Sequence, residues 1–342
     1  MTHRLQQTVM AALIAATVVP ALAIPRTALG APSQITISHS QKTADFLPLW
    51  IASGAGYFQK HGIEANVRYL PAQEGIPALL TNQVQIAGIG GSDASSAEAQ
   101  GARLKLVATL TPIYTFQFWA RPQYANADAL KGQRIGVTST TGSLYAATLL
   151  ALKQLNLAPK DVMITPLGGV TNVNASLLAG SIAAACSHPP ATYKFQQAGL
   201  IDLVDLAKKK IPSVSAGLWV TEAYLKDHRD VVQNVVDAVV EALGREKSDR
   251  EFAEAELHRY LAVADKAALD VTYDFYVNEV LAGGPMPQAA GVDGDIQALA
   301  ATNPKVKSID PATMIDQSFV QKAQSLQGPN SATGSNSAMP PQ

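Results

Sequence analysis

Short apolar runs alternate with helix-like stretches along this chain, and the alternation occurs twice. Residues 35–38 (ITIS) alternate with period two, as a half-buried strand does. Residues 48–60 (PLWIASGAGYFQK) follow as a helix. Pro48 suits its first turn, where a missing N–H costs nothing, and Gly62 supplies a stop. A strand at 65–70, a short helix at 75–82, a strand at 85–90, a helix at 93–100 closed by Gly101 and a strand at 104–110 complete the first series. Such a series predicts a mainly parallel sheet covered by helices. The pattern then restarts with a strand at 134–138, a helix at 143–155, a strand at 162–166 and a helix at 173–179 closed by Gly180. A strand at 182–186, a helix at 191–198 and strands at 200–203 and 217–220 follow. Two α/β units are therefore expected, near 34–115 and 125–215. From Glu222 onward, period-3.6 apolar spacing at 231–243, 249–261 and 266–281 predicts a helical C-terminal region.

A chain of 342 residues, 47% hydrophobic and 15% charged, is long enough and apolar enough for two domains. Its formal net charge of −1 lacks the basic excess of a nucleic-acid binder, so no nucleic-acid partner is expected. Residues 1–30 read as a secretory signal. His3 and Arg4 give a basic start, residues 9–19 an apolar run broken by Pro20, and Ala21, Ala23, Ala28 and Gly30 the small residues of a cleavage region. The run is shorter than the roughly 20 residues needed to span a bilayer. The expected mature protein loses Arg4 and Arg26 and is more acidic by two charges. One cysteine, Cys186, precludes an internal disulfide, and no cysteine follows the signal region to carry a lipid. A free exported protein is expected. Residues 328–342 (GPNSATGSNSAMPPQ) read as a flexible tail.

At residues 44–62 (ADFLPLWIASGAGYFQKHG) the sequence resembles the nitrate-, sulfonate- and taurine-binding proteins of ABC importers and the related thiamine-precursor binders. Pro48, Ala52, Gly56-Tyr57-Phe58 and Gly62-Ile63-Glu64 carry the likeness. Residues 78–88, 135–141 (IGVTSTT) and 183–190 (AAACSHPP) extend it in the same order, and the match runs from about 34 to 325. The resemblance implies a two-lobed, type II periplasmic binding fold, each lobe a mainly parallel sheet flanked by helices. The chain would cross between lobes near 114–119 and 217–221. The implied division is residues 31–117 with 218–327 in the first lobe and 118–217 in the second. It also implies a periplasmic monomer that hands a small molecule to an ABC permease and closes its lobes around it by hinge motion.

Open parallel sheets bind ligands beyond the C-terminal ends of their strands, where helix N-termini offer unpaired N–H groups and partial positive charge. Four turns rich in small polar residues fall there: 38–43 (SHSQKT), 90–96 (GGSDASS), 138–143 (TSTTGS) and 187–190 (SHPP). They give the candidate ligand-binding residues Lys42, Thr43, Gly91, Ser92, Asp93, Ser139, Thr140, Thr141, Gly142, Ser143 and His188. Thr141, Ser143 and Asp93 would equally serve as helix caps, and Trp119 and Trp219 as core rather than stacking platforms. Lys42 is the one fixed positive charge in these turns and the absence of arginine disfavours a doubly charged anion, so a sulfonate or carboxylate, with or without an aromatic body, is expected. Asp93 keeps open a neutral or amine-bearing ligand such as a pyrimidine. No cofactor or metal is expected: the six histidines are scattered and residues 138–143 lack a P-loop lysine. Catalysis is not expected. The same fold serving a membrane receptor as a ligand sensor remains an alternative.

Overall fold

A computed structural model describes residues 32–281 and 284–326. The expected export signal at 1–30 and tail at 328–342 lie outside the described residues. Ten strands form two five-stranded sheets. The first contains β1 (Ser33–His39), β2 (Ile63–Tyr69), β3 (Ile86–Ile89), β4 (Leu104–Ile113) and β10 (Pro212–Thr221), in the order β2-β1-β3-β10-β4. The second contains β5 (Gln117–Ala120), β6 (Arg134–Val137), β7 (Met163–Pro166), β8 (Ala184–Ser187) and β9 (Ile201–Asp205), in the order β7-β6-β8-β5-β9.

Four strands of each sheet run one way and the fifth runs against them. In the first sheet β1 pairs in parallel with β2 and β3, and β10 is antiparallel to β3 and β4. In the second, β6 is parallel to β7 and β8, and β5 is antiparallel to β8 and β9. Parallel pairs need long crossovers, and the helices read from sequence supply them. The reversed strands need none, because each is the first strand after the chain changes sheets. The two crossings run side by side: Tyr114 N donates to Ile211 O at 3.1 Å, and Pro212 pairs with Ile113. A hinge of two adjacent strands is the result.

Several elements differ in extent from expectation. The helix expected at 48–60 is two, Leu47–Gly54 and Tyr57–Lys60, because Gly56 takes φ 72°, a left-handed turn that glycine adopts freely. The first crossing is shorter than 114–119, since Gln117 already begins β5. The strand expected at 217–220 is ten residues long and buried along nearly its whole length, as a central strand must be. The helix expected at 266–281 is regular only over Lys266–Asp274 and continues as a π-helical turn, Phe275–Val280. Helix Ala289–Leu299, not anticipated, packs on β10.

The core follows the period-3.6 and period-2 patterns. Helix Arg229–Ser248 buries Val232, Val235, Val236 and Val239 against Leu47–Gly54 and Ser318–Leu326. Trp50 and Trp219 are fully buried; Trp219 Nε1 donates to Ile89 O at 3.1 Å. Trp119 packs edge-on against Phe195, so all three tryptophans belong to the core. Among the described residues, no helix is long and apolar enough to cross a membrane.

Candidate functional site

The C-terminal ends of β1, β3, β6 and β7 meet across a gap between the two lobes. The loop after β1 brings Lys42; the helix after β3 (Gly91–Glu98) brings Asp93 from its first turn. From the other lobe come Ser139 and Gly142, just before helix Ser143–Gln154, and the turn before helix Val170–Ala179. Together these enclose a cavity of ≈ 270 Å³. Both second-lobe helices lack a side-chain cap at their N-termini. The first N–H groups of each have no intrahelical partner, and those of helix Val170–Ala179, whose residues 170–172 line the cavity, are available to a ligand.

Two charged groups face this cavity. Lys42 is exposed, its ammonium 5.4 Å from the centre of the Tyr69 ring, within cation–π range. Asp93 is 5% exposed, and burial pushes its carboxyl up to about 7. The hydroxyl of Thr141 donates to Asp93 Oδ1 at 3.2 Å and opposes that rise, while the nearby Asp295 adds to it. A carboxyl of this kind is half ionised near neutral pH. It accepts hydrogen bonds when charged and donates one when neutral.

The anticipated residues divide into three groups. Lys42, Asp93, Ser139 and Gly142 line the cavity. Thr141 stands beside it and bonds Asp93 across the lobes; Ser139 Oγ in turn accepts from Gly142 N at 3.3 Å, bracing the loop. Thr140 is exposed and off the wall. Gly91, Ser92 and Ser143 face protein instead. Ser92 is fully buried and donates to Asp295 Oδ1 at 3.0 Å. A Cβ on Gly91 would collide with the Asp295 carboxylate, so this glycine admits Asp295 rather than a ligand. Ser143, 1% exposed, packs against Gly90 and reaches Ser215 O at 3.5 Å.

His188 and Thr43 belong to a second polar cluster at the lobe boundary. Thr43 donates to Asp45 Oδ2 at 2.8 Å and Thr115 to Asp45 Oδ1 at 3.2 Å. His188 Nε2 lies 3.5 Å from Asp45 Oδ2, and Tyr276 OH lies 3.3 Å from His188 Nδ1. Thus Thr141–Asp93, Ser143–Ser215 and His188–Asp45 all join the lobes, which stand closed on one another.

Two features went unread in the sequence. The first is the turn 167–169 with the opening helical residues 170–172 (LGGVTN in all), which supply much of the second-lobe wall; the Gly168-Gly169 pair between a strand and a helix is the signal that marks it. The second is Asp295. It accepts from Tyr114 OH at 2.7 Å, Ser213 Oγ at 2.9 Å, Val214 N at 2.9 Å and Ser92 Oγ at 3.0 Å. It therefore ties both hinge crossings to the helix that carries Asp93. Burial raises its pKa, with the four donors opposing, and holds the Tyr114 hydroxyl protonated as a donor. Nothing near position 295 in the sequence signals that contact.

Residues 43–245 match the family model described as NMT1/THI5 like. The chain belongs to this family. Its NMT1/THI5-like segment begins just after β1 and covers the other four strands of the first sheet, all of the second lobe and most of helix Arg229–Ser248. The riboflavin-binding protein RibY of Chloroflexus aurantiacus is 26% identical over 219 residues, and the alignment spans 61% of this chain and 61% of that relative's length. A protein from Bordetella bronchiseptica superposes with a TM-score of 0.74 at 20% identity, over 86% of this chain and 98% of that one. The periplasmic aliphatic sulphonate binding protein SsuA of Escherichia coli superposes with a TM-score of 0.65 at 19% identity, over 84% and 92%. The architecture is the two-lobed periplasmic binding fold that the resemblance implied.

Proposed function

We propose that this chain is the solute-binding component of an ABC importer. It works in the periplasm and captures a small organic molecule between its lobes without chemical change. The ligand presents a carbonyl or anionic acceptor to Lys42 and an N–H donor to Asp93. A pyrimidine-type ring, which alternates C=O and N–H, meets both at once. The observation that carries this reading is that Lys42 and the half-ionisable Asp93 face one interlobe cavity of ≈ 270 Å³. The likeness to a riboflavin-binding relative supports it, since riboflavin contains such a ring. The one thiol does not suggest a nucleophile: burial raises Cys186 to about 12 and keeps it protonated. Among the described residues no cluster of three or more His, Cys, Asp or Glu is placed to hold a metal ion.

A simple sulfonate or carboxylate anion is the second reading, favoured by Lys42 and the uncapped N-terminus of helix Val170–Ala179. The two readings part at Asp93. An anion beside it binds best when the carboxyl is neutral, whereas an N–H donor binds best when it is charged. A thermal-shift panel of uracil, ethanesulfonate and benzoate on the mature protein tests them. A bound probe at a hundredfold excess over its Kd adds about 2.7 kcal/mol of stability. A shift with uracil alone is the expected outcome. A shift with ethanesulfonate or benzoate alone establishes the anion reading, and no shift with any probe contradicts both.

A further inference from the structure

The cleft does not end at the Lys42–Asp93 cavity. A second chamber of ≈ 290 Å³ adjoins it and shares Lys42, Val170 and Thr171 as a common wall. Its character is different. Ala175, Leu178 and Phe195 of the second lobe face Leu261 and Val263 of the C-terminal helical region, with His188 at the base. Leu178 is 40% exposed and Tyr69, in the first chamber, 39% exposed. Two of the few large apolar side chains left to water among the described residues thus line the two chambers. Uncovered apolar surface concentrated in a concave site marks a place that an apolar group covers. His188 on the second chamber's wall is 3% exposed; its Nε2 makes no hydrogen bond and lies 3.5 Å from Asp45 Oδ2.

We propose that the second chamber seats an aromatic or branched apolar extension of the same ligand, so that the natural ligand is an amphipathic molecule longer than a single polar ring. This rests on the head-group reading above. The polar ring occupies the Lys42–Asp93 chamber. The apolar body passes Thr171 and packs between the helix Val170–Ala179 and the Leu261–Val263 turn, against the wall that His188 completes. Continuity of the two chambers through shared residues is what favours a ligand body over a partner-protein side chain as the occupant. Ala175, Leu178 and Phe195 then set which ligand is accepted, and Lys42, on the shared wall, contacts both parts.

Two probes with one head separate the chambers: uracil, and lumichrome, which fuses the same ring through a pyrazine to a dimethylbenzene. Isothermal titration of the full mature protein is expected to give lumichrome at least about tenfold tighter than uracil, because the added ring is buried. Ala175→Phe fills the chamber from an exposed helix position, which leaves the core intact. It is expected to remove lumichrome's advantage while uracil binds as before, and Ala175→Ser, which leaves the chamber open, keeps both affinities. Uracil binding with no gain for lumichrome, or an equal loss of both probes in Ala175→Phe, overturns the second-chamber proposal alone. Binding of neither probe to the unaltered protein overturns the head-group reading and this proposal with it.

Discussion

Asp93 holds its proton to about 7, whereas an exposed aspartate gives it up near 3.8. The sign of its effect on stability follows. Between those values the unfolded chain is ionised at this position and the folded one is not, so stability falls as pH rises from about 4 to about 7 and stays reduced above. Asp93→Asn removes that penalty. We expect the ligand-free variant to match the parent at pH 4 and to exceed it at pH 8 by on the order of 2 kcal/mol, read by urea titration. Equal stability of the two at pH 8 would show that the carboxyl is far better solvated than its burial indicates. In the proposed binding mode the same exchange is expected to weaken an N–H-donating ligand, so that function and stability would pull in opposite directions at one group, a trade-off that a helix cap would not show.

At the scale of elements, the hinge depends on helix Ala289–Leu299. Asp295 collects four donors from the two crossings and from the helix bearing Asp93. Asp295→Ala would leave Tyr114 OH, Ser92, Ser213 and Val214 N buried without an acceptor. A loss of about 3–5 kcal/mol is expected in chemical denaturation, with Asp295→Asn intermediate because it retains an acceptor oxygen. A loss below about 1 kcal/mol would mean that the crossings are held by the β4–β10 ladder alone. The strands and helices were mostly legible in the sequence because each pays out its apolar residues at a fixed period. The break at Gly56 was not, since the apolar pattern runs straight through it and only the left-handed backbone reveals it. The anticipated turns at the strand ends were found because small polar residues cluster there. Gly91 and Ser92 were indistinguishable by composition from cavity-lining residues, and only the position of Asp295, some two hundred residues away, turns them inward.

Across the whole molecule, two mainly parallel sheets exchange one reversed strand each at a shared hinge and close on a cleft with a polar and an apolar chamber. Polar contacts at Thr141–Asp93, Ser143–Ser215 and His188–Asp45, and a buried apolar cluster drawn from both lobes, hold the closed arrangement. The sequence made the two lobes visible through its repeated series, but no local pattern shows which faces meet across the cleft. The segment 167–172 and the His188–Asp45–Tyr276 cluster come from long-range packing. In the proposed binding mode, Asp93 reads a donor on the ligand. Calorimetric titration of uracil at pH 6 and pH 8, on the unaltered protein and on Asp93→Asn, tests it directly. With the carboxyl titrating at about 7, the fraction ionised rises about tenfold over that interval, and affinity should tighten by about as much in the unaltered protein and stay flat in the variant. Affinity that weakens from pH 6 to pH 8, and does so only when Asp93 is present, would contradict the claim, because the neutral carboxyl would then be the form that meets the ligand.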